Sequence, residues 1–231
     1  MVGLPTQAFR ERRLLTDLDK ACLSKKRKFF DPRMARVSVR ILPGEQYVAE
    51  TPKEVLVTIL GSCVAACIRD PRSGIGGMNH FMMPRSENGQ WGQASDALRY
   101  GNHAMESLIK EMVKRGADRD SLEIKVFGGA NVTKGSIHLI GDQNCDFIRH
   151  YLQHEGLACG AYDLGGQRAR RIQYFPDSGR VKRQFLKRSN DARMIEDETA
   201  YFDRISGEAG PARTETGTET GTETSDRGPQ R

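Results

Sequence analysis

The chain is organised around residues Val55–Pro84, which read VLVTILGSCVAACIRDPRSGIGGMNHFMMP. The unbroken apolar and β-branched run at 55–60 predicts a strand that is buried on both faces. Asp, Pro, Ser and Gly then cluster at 70–74 between two apolar runs, which is typical of a β-hairpin. A helix beginning at Cys63 would have only about seven residues before the Asp-Pro pair, which is short for a helix. We therefore favour a hairpin over a strand–turn–helix elbow.

The hairpin brings one cysteine and one histidine together. Cys63 lies nine residues before Arg72 and His80 lies eight residues after it. A turn at Arg72 therefore places them nearly opposite each other, where cross-strand Cβ atoms are about 4.5–5.5 Å apart. The pairing depends on the register, because a slip of one residue would turn the imidazole to the other face.

This arrangement suits a thiol nucleophile with its base. An ordinary thiol is only slightly ionised at neutral pH, and a neighbouring imidazole such as His80 would increase the thiolate fraction of Cys63. Backbone N–H groups of the turn at Gly61 and Ser62 could hold an oxyanion, since glycine adopts the backbone angles that aim such groups. The hydroxyl of Thr58, near the end of the preceding strand, could orient the imidazole.

Other interpretations of the two cysteines stay open. A cysteine among Val, Ala and Ile is commonly a small core residue. Cys63 and Cys67 could instead form a metal or redox pair, but a zinc site needs four ligands and only His80 is an evident third. The spacing therefore gives a zinc site little support. The remaining histidines lie in mostly polar segments and are predicted to be exposed: His103, His138, His150 and His154.

The remaining pattern predicts one α/β domain of α+β character over residues 36–188. Alternating or continuous apolar residues predict further strands at 37–41, 46–49, 124–127, 137–140, 158–164, 170–175 and 181–186. Helical spacing predicts one helix from about Ala94 to Gly116 and another from Asp142 or Asn144 to Glu155. The expected architecture is a layered, mixed and largely antiparallel β-sandwich with two main helices packed outside.

Two tails flank this domain. Residues 1–35 are predicted to be a basic, partly disordered extension, and residues 1–40 carry a net charge of +7. Helical spacing at 14–22 leaves open docking on acidic protein, anionic lipid or nucleic acid. Residues 189–231 are acidic and contain a Thr-Glu-Thr-Gly repeat at 214–225, which predicts a disordered tail.

The cysteine content and the lengths of the apolar runs predict the cellular compartment. The five cysteines are irregularly spaced and odd in number, which predicts free thiols in a reducing cytoplasm. No secretory signal precedes the domain and no apolar run approaches the roughly 18 residues of a spanning helix. The basic charge is concentrated in the N-terminal extension, so it does not predict a nucleic-acid ligand for the domain.

Several motifs resemble one known family, the CheD chemoreceptor glutamine deamidases. The resemblance covers about residues 40–186 and is specific in both order and spacing. The matching segments are Leu60–Val64, Gly76–Pro84, Arg99–Asn102, Lys125–Ala130, Ile140–Asn144 and Asp163–Gly166 followed by Arg170 and Arg171. The two tails lie outside the resemblance.

The resemblance implies hydrolysis of selected glutamine side chains to glutamate in methyl-accepting chemoreceptors. The catalytic cysteine, histidine and threonine of the family correspond to Cys63, His80 and Thr58, with Val57 as the other position in register for the threonine. No metal or cofactor is implied, and a CheC-type phosphatase is a further partner. The alternative function is a chemotaxis adaptor that binds receptor or phosphatase without chemistry, and a third is a thiol or metal sensor using Cys63 and Cys67.

Overall fold

Two five-stranded mixed sheets and three helices form the part of the protein that the computed structural model describes, residues 28–84, 96–132, 140–187 and 192–208. The strands are β1 Lys28–Asp31, β2 Arg36–Arg40, β3 Gln46–Val48, β4 Glu54–Leu60, β5 Val64–Arg69, β6 Gly76–Asn79, β7 Glu123–Gly128, β8 Cys159–Leu164, β9 Arg170–Phe175 and β10 Arg180–Phe185. The helices are α1 Asp96–Lys114, α2 Ile140–His154 and α3 Ala192–Glu208, with a 3₁₀ turn at Arg119–Ser121.

The first sheet has the order β1-β2-β4-β9-β10, with β4 at its centre. Six of the seven β4 residues are buried, as predicted for a strand covered on both faces. Successive side chains alternate between the faces. Leu56 and Leu60 therefore point toward the second sheet, whereas Val55 and Val57 pack with Phe175 on the other side.

The second sheet has the order β3-β6-β5-β7-β8, and its β5–β6 pair is the predicted hairpin. The register differs from the prediction, because Val64 pairs with Phe81 and Cys67 with Met78. Cys63 and His80 are thus diagonal neighbours instead of directly opposite ones. A shift of two residues keeps both side chains on the same face, so the predicted proximity survives the error.

Hydrophobic side chains form two main layers. Between the sheets, residues of the first sheet pack against residues of the second: Leu56, Leu60, Ile172 and Tyr174 against Cys63, Ala65, Cys67 and Met78. On the outer face of the second sheet, Val64, Ala66 and Ile68 pack against the apolar stripes of α1 and α2. The predicted sandwich with two helices outside is confirmed.

The third helix corrects the prediction for residues 189–231. Residues Ala192–Glu208 form α3 instead of a disordered tail. Its buried side chains Met194, Tyr201, Phe202 and Ile205 recur at helical spacing, and the last three join the core between the sheets. The overall polarity of the segment concealed this stripe. The repeat at 214–225 lies outside the described residues.

At the other end, β1 shows that ordered structure begins before Arg36. Lys28–Asp31 pairs with β2, although the prediction placed it in the extension. The basic segment before Lys28 lies outside the described residues. Within the described ranges, no helix combines the length and the apolar character that a bilayer crossing requires.

Candidate active site

Three buried side chains from different parts of the chain converge at one edge of the sandwich. The Cys63 sulfur, a ring nitrogen of His80 and a carboxylate oxygen of Glu198 all lie within 4.8 Å of one another. Cys63 follows the β4 strand, His80 follows β6, and Glu198 comes from α3. The sequence predicted the first two members of this cluster and missed the third.

Thr58 fixes the orientation of the His80 ring. The Thr58 hydroxyl donates to the Ile41 carbonyl at 2.8 Å and lies 2.8 Å from Nδ1 of His80. A hydroxyl has one proton, so it must accept from Nδ1–H, and this pattern assigns the proton to Nδ1. Nε2 then carries the lone pair, and it is buried without a hydrogen-bond partner among the described residues. The ring is therefore arranged to accept a proton through Nε2.

The structure also distinguishes between the two candidate positions in β4. Thr58 lies on the strand face that points toward His80, whereas Val57 packs with Val55 and Phe175 on the opposite face. Neighbouring residues of a strand cannot share a face. Only Thr58 can therefore contact the imidazole.

Burial keeps the cysteine and the histidine uncharged in this arrangement. It lowers the pKa of His80 from 6.5 to about 4. Burial, and after it the negative charge of Glu198, raise the pKa of Cys63 well above its usual value. The pair is therefore a neutral thiol beside a neutral imidazole, and a thiolate would require the site to be opened to water or the carboxylate to leave.

The turn after β4 forms an anion nest, which we define as the backbone N–H groups of Gly61, Ser62 and Cys63. One Glu198 oxygen accepts from Gly61 N at 2.8 Å and from Cys63 N at 3.2 Å. The other accepts from Ser62 N at 2.8 Å and from the Ser62 hydroxyl at 2.7 Å. The donors predicted for an oxyanion thus converge on a single carboxylate group.

Asn144 of α2 supports this turn from the side. Its Nδ2 donates to the Ser62 carbonyl at 2.7 Å and its Oδ1 accepts from Met83 N at 2.7 Å. Both bonds are buried, so the amide ties the turn to the chain that follows His80. Sequence reasoning gave Asn144 no role beyond marking the start of a helix, although it belongs to one of the matching motifs.

Gly128 and Gly129, at the end of β7, bring that part of the backbone against Cys63. Both have positive φ, and Gly129 N donates to the Cys63 carbonyl at 2.8 Å. A Cβ at Gly128 would lie 2.1 Å from that same carbonyl oxygen. Only glycine allows the two backbones to approach this closely.

The donor set of the cluster fits an anion better than a metal ion. Cysteine, histidine and glutamate are all zinc ligands. However, both Glu198 oxygens already accept two hydrogen bonds each from the turn. Cys67 is not part of the cluster, since it lies four residues along β5, about 13 Å at the usual rise of a strand. The suggested pairing of the two cysteines as ligands is therefore wrong.

Two clefts reach His80. One has a volume of about 440 Å³ and is lined by Ile41, Thr58, Met194 and Glu198 among others. The other has a volume of about 510 Å³ and is lined by Glu45, Tyr100 and His103 among others. Of the other histidines, His103, His150 and His154 are exposed as predicted, and His138 lies outside the described residues.

Comparisons with known proteins point to one family. The family model described as CheD chemotactic sensory transduction matches residues 82–184. A probable chemoreceptor glutamine deamidase CheD of Rhodopseudomonas palustris (strain BisA53) is 49% identical over 182 residues, which cover 79% of this chain and 85% of the relative. Proteins with the same name from Hahella chejuensis and Cupriavidus pinatubonensis are 44% and 42% identical, covering 78% and 88% of this chain and 84% and 94% of the relatives.

Among solved structures, Neisseria meningitidis protein NMB0706, assigned to the family model DUF152, aligns at 13% identity with a TM-score of 0.32. The alignment covers 53% of this chain and 52% of that protein, a likeness too weak to inform either fold or function.

Proposed function

Because the chain belongs to the CheD family, we propose that it hydrolyses glutamine side-chain amides of methyl-accepting chemoreceptors to glutamate and ammonia. The observation that carries the proposal is the placement of Cys63 beside His80, with three backbone N–H groups converging next to the sulfur. The relatives bear the name of this activity, which requires a nucleophile, a base and oxyanion donors, and Cys63, His80 and these N–H groups have the chemistry for those roles.

The proposed acylation step uses Cys63 and His80. Nε2 of His80 takes the thiol proton, and the sulfur attacks Cδ of the substrate glutamine. The negative charge that develops on the amide oxygen is stabilised by the anion nest. The C–N bond then breaks as His80 returns its proton to the leaving nitrogen, so that ammonia departs and a thioester remains on Cys63.

Deacylation reverses the roles of the same groups. His80 removes a proton from water, the resulting hydroxide attacks the thioester carbonyl, and the thiolate leaves to give glutamate and free enzyme. General acid–base catalysis of this kind contributes about 10²–10⁴ in rate, and each oxyanion donor contributes about 10²–10³. Thr58 acts as a positioning residue, because its hydroxyl accepts Nδ1–H and leaves Nε2 facing the reaction.

The substrate is a folded protein, so specificity is proposed to come from a protein–protein contact. The middle of the chain, residues 41–189, has a net charge of +4 and would favour an acidic receptor surface. The described cysteines are all free, which suits the cytoplasm as the proposed compartment. A CheC-type phosphatase is proposed as a second partner, and its co-elution with this protein would test that.

Receptor conversion tests the proposal directly. A purified receptor cytoplasmic fragment is incubated with the parent protein, Cys63→Ala or Cys67→Ala, and Gln-to-Glu conversion is followed by peptide mass spectrometry. Cys67→Ala is the matched control, since both cysteines are buried in the same core cluster. We expect conversion by the parent and by Cys67→Ala, and none by Cys63→Ala.

Two results would count against the proposal. Conversion that persists in Cys63→Ala would remove the assigned nucleophile. Receptor binding without conversion by any of the three proteins would favour the alternative function, an adaptor that binds receptor or phosphatase without chemistry.

A further inference from the structure

Helix α3 places a glutamate at the reaction centre of the proposed enzyme. Glu198 is only 4% exposed, and its carboxylate takes all three N–H groups of the anion nest together with the Ser62 hydroxyl. Glutamate is also the product of the proposed reaction. A carboxylate of the same chemical identity as the product therefore occupies the donors that an amide oxygen would need.

The contacts of Glu198 argue against a role in orienting the base. Its hydrogen bonds go to the turn at Gly61–Cys63, whereas Nδ1 of His80 is held by Thr58. A carboxylate beside the sulfur also opposes formation of the thiolate. These are properties of a bound product or inhibitor and not of a third catalytic group.

Gly44 and Gly61 leave room for side chains of α3 in the surface that this helix covers, which we call the groove. A Cβ at Gly61 would lie 2.6 Å from the Met194 sulfur, and one at Gly44 would lie 2.7 Å from the Tyr201 ring. A larger residue at either position would therefore force the Met194 or Tyr201 side chain to move. Apolar side chains at positions −4, +3, +4 and +7 relative to Glu198 are buried in this groove: Met194, Tyr201, Phe202 and Ile205.

We propose that α3 is a tethered product analogue, which occupies the groove where a substrate helix binds and presents Glu198 where the new glutamate would lie. The inference rests on the proposed function and extends it in two ways. The substrate class is a glutamine on a helix with apolar or aromatic residues at −4, +3, +4 and +7. Access to the site requires α3 to leave, because the nest cannot bind two side chains at once.

Glu198→Gln provides the sharpest test, since it replaces the carboxylate that resembles the product by an amide that resembles the substrate. The oxygen of the introduced amide can accept from Gly61 and Cys63 N–H, and its amino group can donate to Ser62 Oγ, while the Ser62 N–H loses its carboxylate acceptor. Attack by Cys63 and hydrolysis of the thioester would consume one water, release one ammonia and restore Glu198. Peptide mass spectrometry would detect the mass change from an amide to an acid at position 198.

Matched controls isolate the effect. Glu196→Gln places a glutamine on the exposed side of the same helix, and Glu198→Gln with Cys63→Ala removes the nucleophile. We expect conversion at 198 at least about tenfold faster than at 196, because the site orients only the buried side chain. We expect no conversion in the double variant.

The outcomes separate this inference from the proposed function. Cys63-dependent conversion at 198 supports both. An amide that stays intact at position 198, in a protein that still converts receptor glutamines through Cys63, overturns the tethered analogue and leaves the enzyme function in place. Absence of conversion at 198 and in the receptor overturns the function as well, and conversion at 198 without Cys63 overturns the assignment to this site.

A second variant tests the competition without touching the reaction centre. Phe202→Ala weakens the packing of α3, with the exposed Asp203→Ala as control. A tethered competitor reduces the fraction of enzyme that can bind substrate, so its release should lower KM for the receptor about tenfold while kcat stays unchanged. A fall in kcat at unchanged KM would instead show that α3 supports the chemistry, and would overturn the proposal.

Discussion

The two regions that meet at Cys63 are built in different ways. The reactive groups of the sheets, Thr58, Cys63 and His80, lie on or beside strands whose backbone pairing determines their positions. The carboxylate of Glu198 comes from α3, which reaches the core through buried side chains and lies beyond both sheets in the chain. In the proposed mechanism the reacting groups therefore belong to the sheets, whereas access to them depends on α3.

The energetics of the two regions differ accordingly. Moving Thr58 or Cys63 would require breaking strand pairing across a buried sheet. Detaching α3 requires exposing four apolar side chains, each worth about 1.5–3 kcal/mol when fully buried, and replacing the Glu198 hydrogen bonds by water. A substrate helix with similar side chains would restore much of that loss. Substitutions can therefore perturb one region at a time.

The largest effect is expected from His80→Gln. Glutamine preserves the approximate size of the side chain but cannot transfer the protons, so kcat for receptor conversion should fall about 10²–10⁴-fold. The exposed His150→Gln of α2 is the control and should keep parent activity. Initial rates with saturating receptor fragment measure the effect. Full activity of the His80→Gln variant would contradict the assignment of His80 as the general base.

The stability of the folded protein should depend on pH through the same histidine. Burial lowers the pKa of His80 from 6.5 to about 4, so the unfolded chain binds more protons between these values. The stability associated with neutral His80 is complete above pH 6.5 and is lost as pH falls, levelling off near pH 4. The total loss should be about 3 kcal/mol.

Urea unfolding at a series of pH values measures this loss. The parent and His80→Gln should differ in slope between pH 6.5 and 4, and subtraction removes the contribution of carboxyl groups common to both. Identical slopes would contradict the burial of His80 in the closed arrangement.

A smaller effect on catalysis is expected from Thr58→Val, which keeps the shape of the side chain and removes the hydroxyl. The imidazole loses its Nδ1 acceptor, and a hydrogen bond to a charged group is worth about 1.5–3 kcal/mol, which corresponds to roughly tenfold to a hundredfold in kcat. Thr58→Ser keeps the hydroxyl and should stay close to the parent. Equal kcat values for Thr58→Val and Thr58→Ser would contradict a positioning role for the Thr58 hydroxyl.

The smallest effect is expected in the other region, from Tyr201→Phe. The Tyr201 hydroxyl contacts the Tyr100 hydroxyl of α1, and this contact helps to hold α3. Its loss should weaken the closed arrangement by about 0.5–1.5 kcal/mol and lower KM for the receptor a fewfold, with kcat unchanged. Steady-state kinetics measure both constants, and a decrease in kcat would contradict the assignment of Tyr201 to access alone.

The sequence was sufficient for the parts of the site that depend on local pattern. The apolar run in β4 and the turn residues at 70–74 predicted the strand and the hairpin, which bring Cys63 and His80 to one face. The register was wrong by two residues because long-range contacts help to set the turn. The Asp70 carboxylate accepts from Ser73 within the turn, and from Asp118 N and the Ser121 hydroxyl in a distant segment.

The roles of Asn144 and Glu198 could not be derived from local pattern. Asn144 bonds to Met83, which is 61 positions away in sequence, and to Ser62, which is 82 positions away. No spacing rule identifies such long-range bonds. Glu198 lies in a polar, acidic segment whose composition suggested disorder. The apolar stripe from Met194 to Ile205 was the available signal, and it would have predicted the helix but not its position over Cys63.

The rate of Cys63 alkylation tests most directly whether a complete reaction centre lies beneath α3. Iodoacetamide is added to the parent and to Glu198→Ala, and peptide mass spectrometry follows Cys63 with buried Cys67 as an internal reference. We expect slow alkylation of both cysteines in the parent and an acceleration of about tenfold or more at Cys63 alone in Glu198→Ala. Rapid alkylation of Cys63 in the parent, or an unchanged rate in Glu198→Ala, would contradict a reaction centre closed by α3.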